Sequence, residues 1–182
     1  MIVISPCDAI EARKATLAAA KVIGPVYIRL AREKTAVITT DETPFEIGKA
    51  SPFYRGNGKP EVGLIATGAL VHKGLMAARE LEEAGIGVKL LNLSTIKPLD
   101  EEAVISLARE TSAIVTVEEH QKIGGMGSAV AECLARTYPT RMAFIGVDDR
   151  FGQSGKPEEL IDYFGMGTQS IVEAARGLCK SK

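Results

Sequence analysis

The sequence predicts an α/β fold, with a mostly parallel sheet covered on both faces. Two observations carry that prediction. Short apolar runs recur at 62–66, 88–91, 113–117 and 142–147, too uniformly apolar for strands with one wet face. Between them lie segments with apolar residues at helical spacing, such as Val71, Leu75, Ala78 and Leu81. Strands and helices in alternation bury both faces of a sheet, and right-handed crossovers are expected.

The elements follow in order. Residues 1–4 are an apolar run broken by Ser5-Pro6. Asp8 with Glu11 three residues later is a capping-box-like start. Ala12, Ala15, Ala19 and Val22 keep one face of that helix small and apolar, and Gly24-Pro25 ends it. Residues 26–30 form a second strand, with Val26, Ile28 and Leu30 on one face. This β-α-β unit is too small to bury both its faces, so contacts from a second copy or from the rest of the chain are expected to hold it. Charged and polar residues from Arg32 to Pro44 mark a linker and a domain boundary. A short strand is expected at 45–50 and a turn through Gly56, Asn57, Gly58 and Pro60.

The regular part comes next. Strand 62–66 leads through Thr67, an expected N-cap, into a helix over 69–84 that Gly85 closes. Strand 88–91 is followed by a loop through Ser94 and Pro98, and Asp100 caps a helix reaching Arg109. A third strand at 113–117, a helix at 128–137 and a fourth strand at 142–147 follow. Pro157 suits the first turn of a short helix, and a last helix covers 169–178.

Composition narrows the function classes. The chain has 182 residues and a formal net charge of −1, which points away from nucleic acid and anionic membranes. No apolar run approaches a transmembrane span, and the first residues lack the pattern of a signal peptide. Cys7, Cys133 and Cys179 are far apart, and an odd count without C-x-x-C spacing argues against a disulfide framework or a zinc site. Reduced thiols in a cytoplasmic protein are the expectation.

The candidate chemistry gathers where strand 113–117 ends, at Glu118, Glu119 and His120, followed by Gly124, Gly125, Gly127 and Ser128. Paired carboxylates and a histidine are acid/base groups, yet three neighbours in sequence at a strand end do not all face one pocket. A structural role is therefore the expectation for each. The glycines open the next helix, where backbone N–H groups approach anions. Their spacing is neither G-x-G-x-x-G nor a P-loop, so close packing of the helix start is favoured over ligand binding. His72 lies one residue off an apolar stripe, a bystander position. Asp148, Asp149 and Arg150 close the fourth strand as expected capping and ion-pair residues. The pattern contains no Ser-His-Asp set and no metal cluster.

The chain resembles the C-terminal end of transketolase. The matching pieces are S-P-C-D-A-I-E-A-R-K-A (5–15), G-P-V-Y-I-R-L-A-R-E (24–33), F-E-I-G-K-A (45–50), L-I-A-T-G (64–68), T-V-E-E-H with G-G-M-G-S-A-V-A-E (within 116–132) and F-G-Q-S-G-K-P-E-E-L (151–160). They stand in the family's order, and the last favours transketolase over 1-deoxyxylulose-5-phosphate synthase and the β subunits of 2-oxoacid dehydrogenases, the alternatives among enzymes. The non-enzymatic alternative is a regulatory module binding an anion or nucleotide at loop 124–128.

The resemblance implies a three-layer α/β/α domain at 45–182, with a five-stranded mixed sheet whose first strand, at 45–50, is antiparallel. It implies that residues 1–34 end the pyrimidine-binding domain, with 35–44 a linker. The intact enzyme transfers a two-carbon ketol unit between sugar phosphates, using thiamine diphosphate and a divalent metal. The diphosphate domain and most of the pyrimidine domain have no counterpart here. The chain is thus expected to be structural, to pair as a homodimer with the rest of transketolase as its partner, and to be inactive and without cofactor alone. One site residue carries over: Arg32, in L-A-R-E, matches the family arginine that binds the substrate phosphate, for which a guanidinium fork is suited.

Overall fold

The computed structural model describes residues 1–180. Two sheets organise it. The larger has five strands in the order β3-β5-β4-β7-β8, where β3 is Ser51–Arg55, β4 Val62–Ala66, β5 Val88–Asn92, β7 Ala113–Gln121 and β8 Arg141–Val147. β3 runs antiparallel to β5 and the rest are parallel. The three-layer α/β/α expectation therefore holds. The antiparallel strand, however, begins at Ser51 and not at residue 45, because residues 45–50 turn on Gly48 at φ +86. Pro52 sits inside β3, where an edge strand tolerates it.

Alternation along the strands sorts the core into two layers. Val62, Leu64 and Ala66 of β4, Leu90 of β5, and Val115 and Val117 of β7 face α2 (Val71–Glu83) and α6 (Thr168–Lys180). Ile65, Leu91 and Ile114 face α3 (Glu101–Glu110) and α4 (Met126–Thr137). Fully burying each of these Val, Leu and Ile side chains is worth about 1.5–3 kcal/mol. Gly63 lets α3 close on the sheet, since a Cβ there would stand 2.7 Å from both Ile114 Cδ1 and Leu107 Cγ. Asp100 caps α3 by accepting from the Ala103 N–H at 3.1 Å. Pro157 opens α5 (Pro157–Tyr163). Thr67 does not cap its helix: its hydroxyl donates to the Ser5 carbonyl at 3.3 Å, and a 3-10 turn, Gly68–Leu70, leads into α2.

The smaller sheet has the order β2-β1-β6: β1 is Ile2–Ile4, β2 Val26–Ile28 and β6 Thr95–Lys97. β6 was expected as loop. It lies between β5 and α3 yet pairs antiparallel with β1, so the chain crosses from the large sheet into the small one immediately after β5. The β-α-β unit is thereby held by the rest of its own chain.

Buried carboxylates fix that crossing. Asp8 caps α1 (Ala9–Ala19) by accepting from the Glu11 N–H at 2.8 Å. It also accepts from the Ile38 N–H, the Thr39 N–H and the Thr39 hydroxyl at 2.6–2.8 Å. Glu11, 3% exposed, accepts from the Cys7 N–H at 2.7 Å and from Asn92 Nδ2 and Ser94 Oγ at 2.8 Å each. Lys14 Nζ donates to the carbonyls of Thr40, Asp41 and Thr43. Segment 36–43 is thus tied to α1 by its backbone.

Burial raises the pKa of Asp8, but the hydrogen bonds from Glu11, Thr39 and Ile38 outweigh it and hold the carboxyl below its ordinary value. Its contribution to stability is present above the unfolded value of about 3.9 and is lost as pH falls through the folded one. Asp8→Asn should cost about 1–2 kcal/mol near neutral pH and remove part of the acid-side decline. Urea denaturation at several pH values checks this; an unchanged acid limb would refute it.

Candidate functional site

Glu118 continues the row Ile114, Thr116 on the α4 face of β7, because side chains two apart point the same way. That row carries a charge into the interior: Glu118 is 3% exposed, whereas Glu119 and His120 are exposed. Its carboxylate accepts from the N–H groups of Met126 and Gly127 at 2.7 Å each. These are orphan donors of the first turn of α4, so the chain's own carboxylate fills the place an anion takes at a helix N-terminus. The regulatory-module alternative loses its site by this geometry.

The glycines serve that contact. Gly124 adopts φ +76, and its N–H donates to Ser128 Oγ at 2.9 Å. A Cβ on Gly125 would fall 2.5 Å from Glu118 Oε2, and one on Gly127 2.7 Å from Thr116 Oγ1. The helix therefore begins at Met126, two residues before Ser128, and packs closely on the sheet. Burial pushes the Glu118 carboxyl above the ordinary carboxylate range, against the downward pull of Gly127, Met126, His120 and Arg29.

The same alternation divides the remaining groups between two grooves. Glu118 and His120 open on one of about 640 Å³, which is also lined by Tyr27 and Val3 of the small sheet and by Arg29 just after β2. Glu119 and Gln121 open on another of about 580 Å³ between residues 31–36 and the β8–α5 connection. Arg32 lies in this second groove, apart from the glycine loop, and so do His72, Lys73 and Arg150. Arg32 is exposed, and among the described residues it has no ion-pair or hydrogen-bond partner. Asp148 pairs with Lys122 at 2.8 Å.

Arg29 escapes the sequence reading. It donates to the Glu119 carbonyl and ties the end of β2 to the end of β7. The available signal was a single charge inside the apolar run of residues 26–30. Among the described residues no group of three His, Cys, Asp or Glu side chains is placed to hold a metal.

Because the pKa of Glu118 is raised, the native state keeps a proton that the unfolded chain releases near pH 4.3. Its contribution is fully present below that value and declines as pH rises through the folded pKa. The stability difference between wild type and Glu118→Gln should therefore narrow with rising pH in urea denaturation; widening would refute the assignment. Glu118→Ala, which orphans two buried N–H groups, should cost about 2–3 kcal/mol.

Residues 54–171 match the family model described as Transketolase, C-terminal domain. The whole chain is 41% identical to 56% of the 6-deoxy-6-sulfo-D-fructose transketolase subunit SqwH of Clostridium sp. (strain MSTE9). It is 38% identical, over 95% of its length, to 54% of the putative transketolase C-terminal section of Methanocaldococcus jannaschii. The chain spans about half the length of these relatives. Among solved structures, 99% of it superposes on 58% of a chain of a split gene transketolase, an inactive beta4 tetramer, with TM-score 0.93 and 38% identity. The Campylobacter jejuni transketolase, at 21% identity and TM-score 0.72, shares the fold. The chain belongs to the transketolase C-terminal domain family.

Proposed function

We propose that this chain is the C-terminal part of a transketolase-type enzyme that moves a two-carbon ketol unit between sugars bearing a terminal anion. The observation that carries the reading is the match of all or nearly all of the chain to transketolase subunits, named for 6-deoxy-6-sulfo-D-fructose and, at 34% identity over 96% of the chain, for apulose-4-phosphate. Both names describe sugars with a tetrahedral oxyanion. Arg32, exposed and unpartnered among the described residues, is the group suited to receive it.

Thiamine diphosphate with a divalent metal supplies the carbanion chemistry of such an enzyme. Among the described residues no group of three His, Cys, Asp or Glu side chains is placed to hold a metal, which supports a site for that group outside this chain. Cofactor binding is accordingly assigned to a complementary polypeptide, and the role of this chain is to hold Arg32 at the substrate end. A second copy pairs with it in the assembled cytoplasmic enzyme.

The chain by itself should neither turn over xylulose 5-phosphate nor bind thiamine diphosphate at micromolar affinity, and mixing with the complementary polypeptide should produce ketol transfer. Calorimetry and a coupled assay test both statements; saturable cofactor binding by the chain alone would overturn the division of labour. In the assembled enzyme Arg32→Ala should raise KM for the anionic sugar by roughly ten- to a hundredfold, the loss of one charge-assisted hydrogen bond, with cofactor affinity unchanged. An unchanged KM would return Arg32 to a solvated linker charge.

A further inference from the structure

The groove that holds Arg32 has a second guanidinium fixed on it. Arg150 follows β8, and its Cζ lies 4.5 Å from the centroid of Phe164 and 5.0 Å from that of Tyr163. These two rings meet edge to face at 5.0 Å. One N–H of Arg150 donates to the Tyr163 carbonyl at 2.9 Å. A guanidinium has five donors, so most of the fork remains available although the group is held by a carbonyl and two rings. That is preorganisation, which lowers the entropic cost of binding an anion.

The surrounding charges agree. Lys34 lines the same groove and, like Arg32, has no ion-pair partner among the described residues. Of the three lining carboxylates, Glu158 is engaged by Lys73 at 2.6 Å. Arg32, Lys34 and Arg150 thus stand against Glu33 and Glu119, both on the exposed rim.

We propose that Arg150 is the second cationic arm of the oxyanion site that Arg32 begins, and that two guanidinium forks select a phosphate monoester over a sulfonate. This rests on the function proposed above for Arg32. A phosphate monoester carries about −1.5 to −2 charge at neutral pH and three acceptor oxygens, enough to engage two forks. A sulfonate carries a single charge and compensates a second desolvated guanidinium less well.

The test titrates the 182-residue chain into the millimolar range with methyl phosphate and with methanesulfonate at constant ionic strength, following arginine side-chain resonances by NMR. Methyl phosphate should shift Arg32 and Arg150 with one saturable Kd, tighter than that of methanesulfonate. Arg150→Ala should weaken methyl phosphate by roughly tenfold or more and methanesulfonate less. Arg150→Lys, which keeps the charge and loses the fork, should restore part of the affinity. A purely structural Arg150 would lower Tm in these variants and leave both Kd values unchanged, and that result overturns the proposal; so does the absence of a saturable shift at Arg150. If Arg150→Ala does not fold, Arg150→Gln takes its place. Should the assembled enzyme fail to transfer ketol units while methyl phosphate still engages both arginines, the functional reading falls and the site stands. If Arg32→Ala raises KM and Arg150→Ala alters neither KM nor methyl phosphate affinity, the site falls and the functional reading stands.

Discussion

The buried Glu11 carboxylate is the interaction on which the arrangement depends. It sits where the chain leaves β5 of the large sheet and enters β6 of the small one, and it binds both sides of that crossing: Cys7 after β1, and Asn92 and Ser94 at the end of β5. A carboxylate this deeply buried is tolerated only when its oxygens are hydrogen-bonded, and here three donors engage it. Burial first, and after it the same carboxylate, raise the pKa of the Cys7 thiol. A proton held on sulfur in this place keeps a second negative charge out of the crossing.

How much was legible follows from where the determining contacts lie in sequence. The caps of α1 and α3 rest on residues three apart, and Asp8 and Asp100 announce them. Uniformly apolar runs announced β4, β5, β7 and β8, since strands buried on both faces need no alternation. By contrast β6 is three residues long and is a strand only because β1, more than ninety residues earlier, pairs with it. The first strand of the large sheet was expected at 45–50 and begins instead at Ser51, where Pro52 is compatible with pairing only because the strand lies at the sheet edge. Segment 36–43 read as a free linker because its polar residues show no period; its order comes from Asp8 and Lys14 on α1.

At the site the sequence supplied the residues and withheld their directions. Glu118, Glu119 and His120 look equivalent in the sequence. The pleat separates them, burying Glu118 against α4 and sending Glu119 toward the groove of Arg32. The structural role expected for Glu118 agrees with this geometry, and the reason is specific: the carboxylate occupies the helix N-terminus that the glycines bring within reach. Arg150 read as an ion-pair residue because it follows two aspartates. Its observed partners, Tyr163 and Phe164, lie more than ten residues further on and are aromatic.

These constraints meet at Arg32. It follows β2, an edge strand with β1 as its only neighbour in the sheet. β1 is held on its other side by β6, and β6 is placed by the crossing that Glu11 binds. Arg29, three residues before Arg32, fastens the same segment to the Glu119 carbonyl at the end of β7. The opposite wall of the groove descends from β8, which pairs with β7. The spacing between the two walls is therefore set by hydrogen bonds in the polar seam between the sheets more than by the apolar core of either. A core repacks by small shifts when one side chain changes, whereas a seam of directed bonds holds one register or loses it. In this chain that seam supports the exposed cation on which recognition of the substrate anion is proposed to rest.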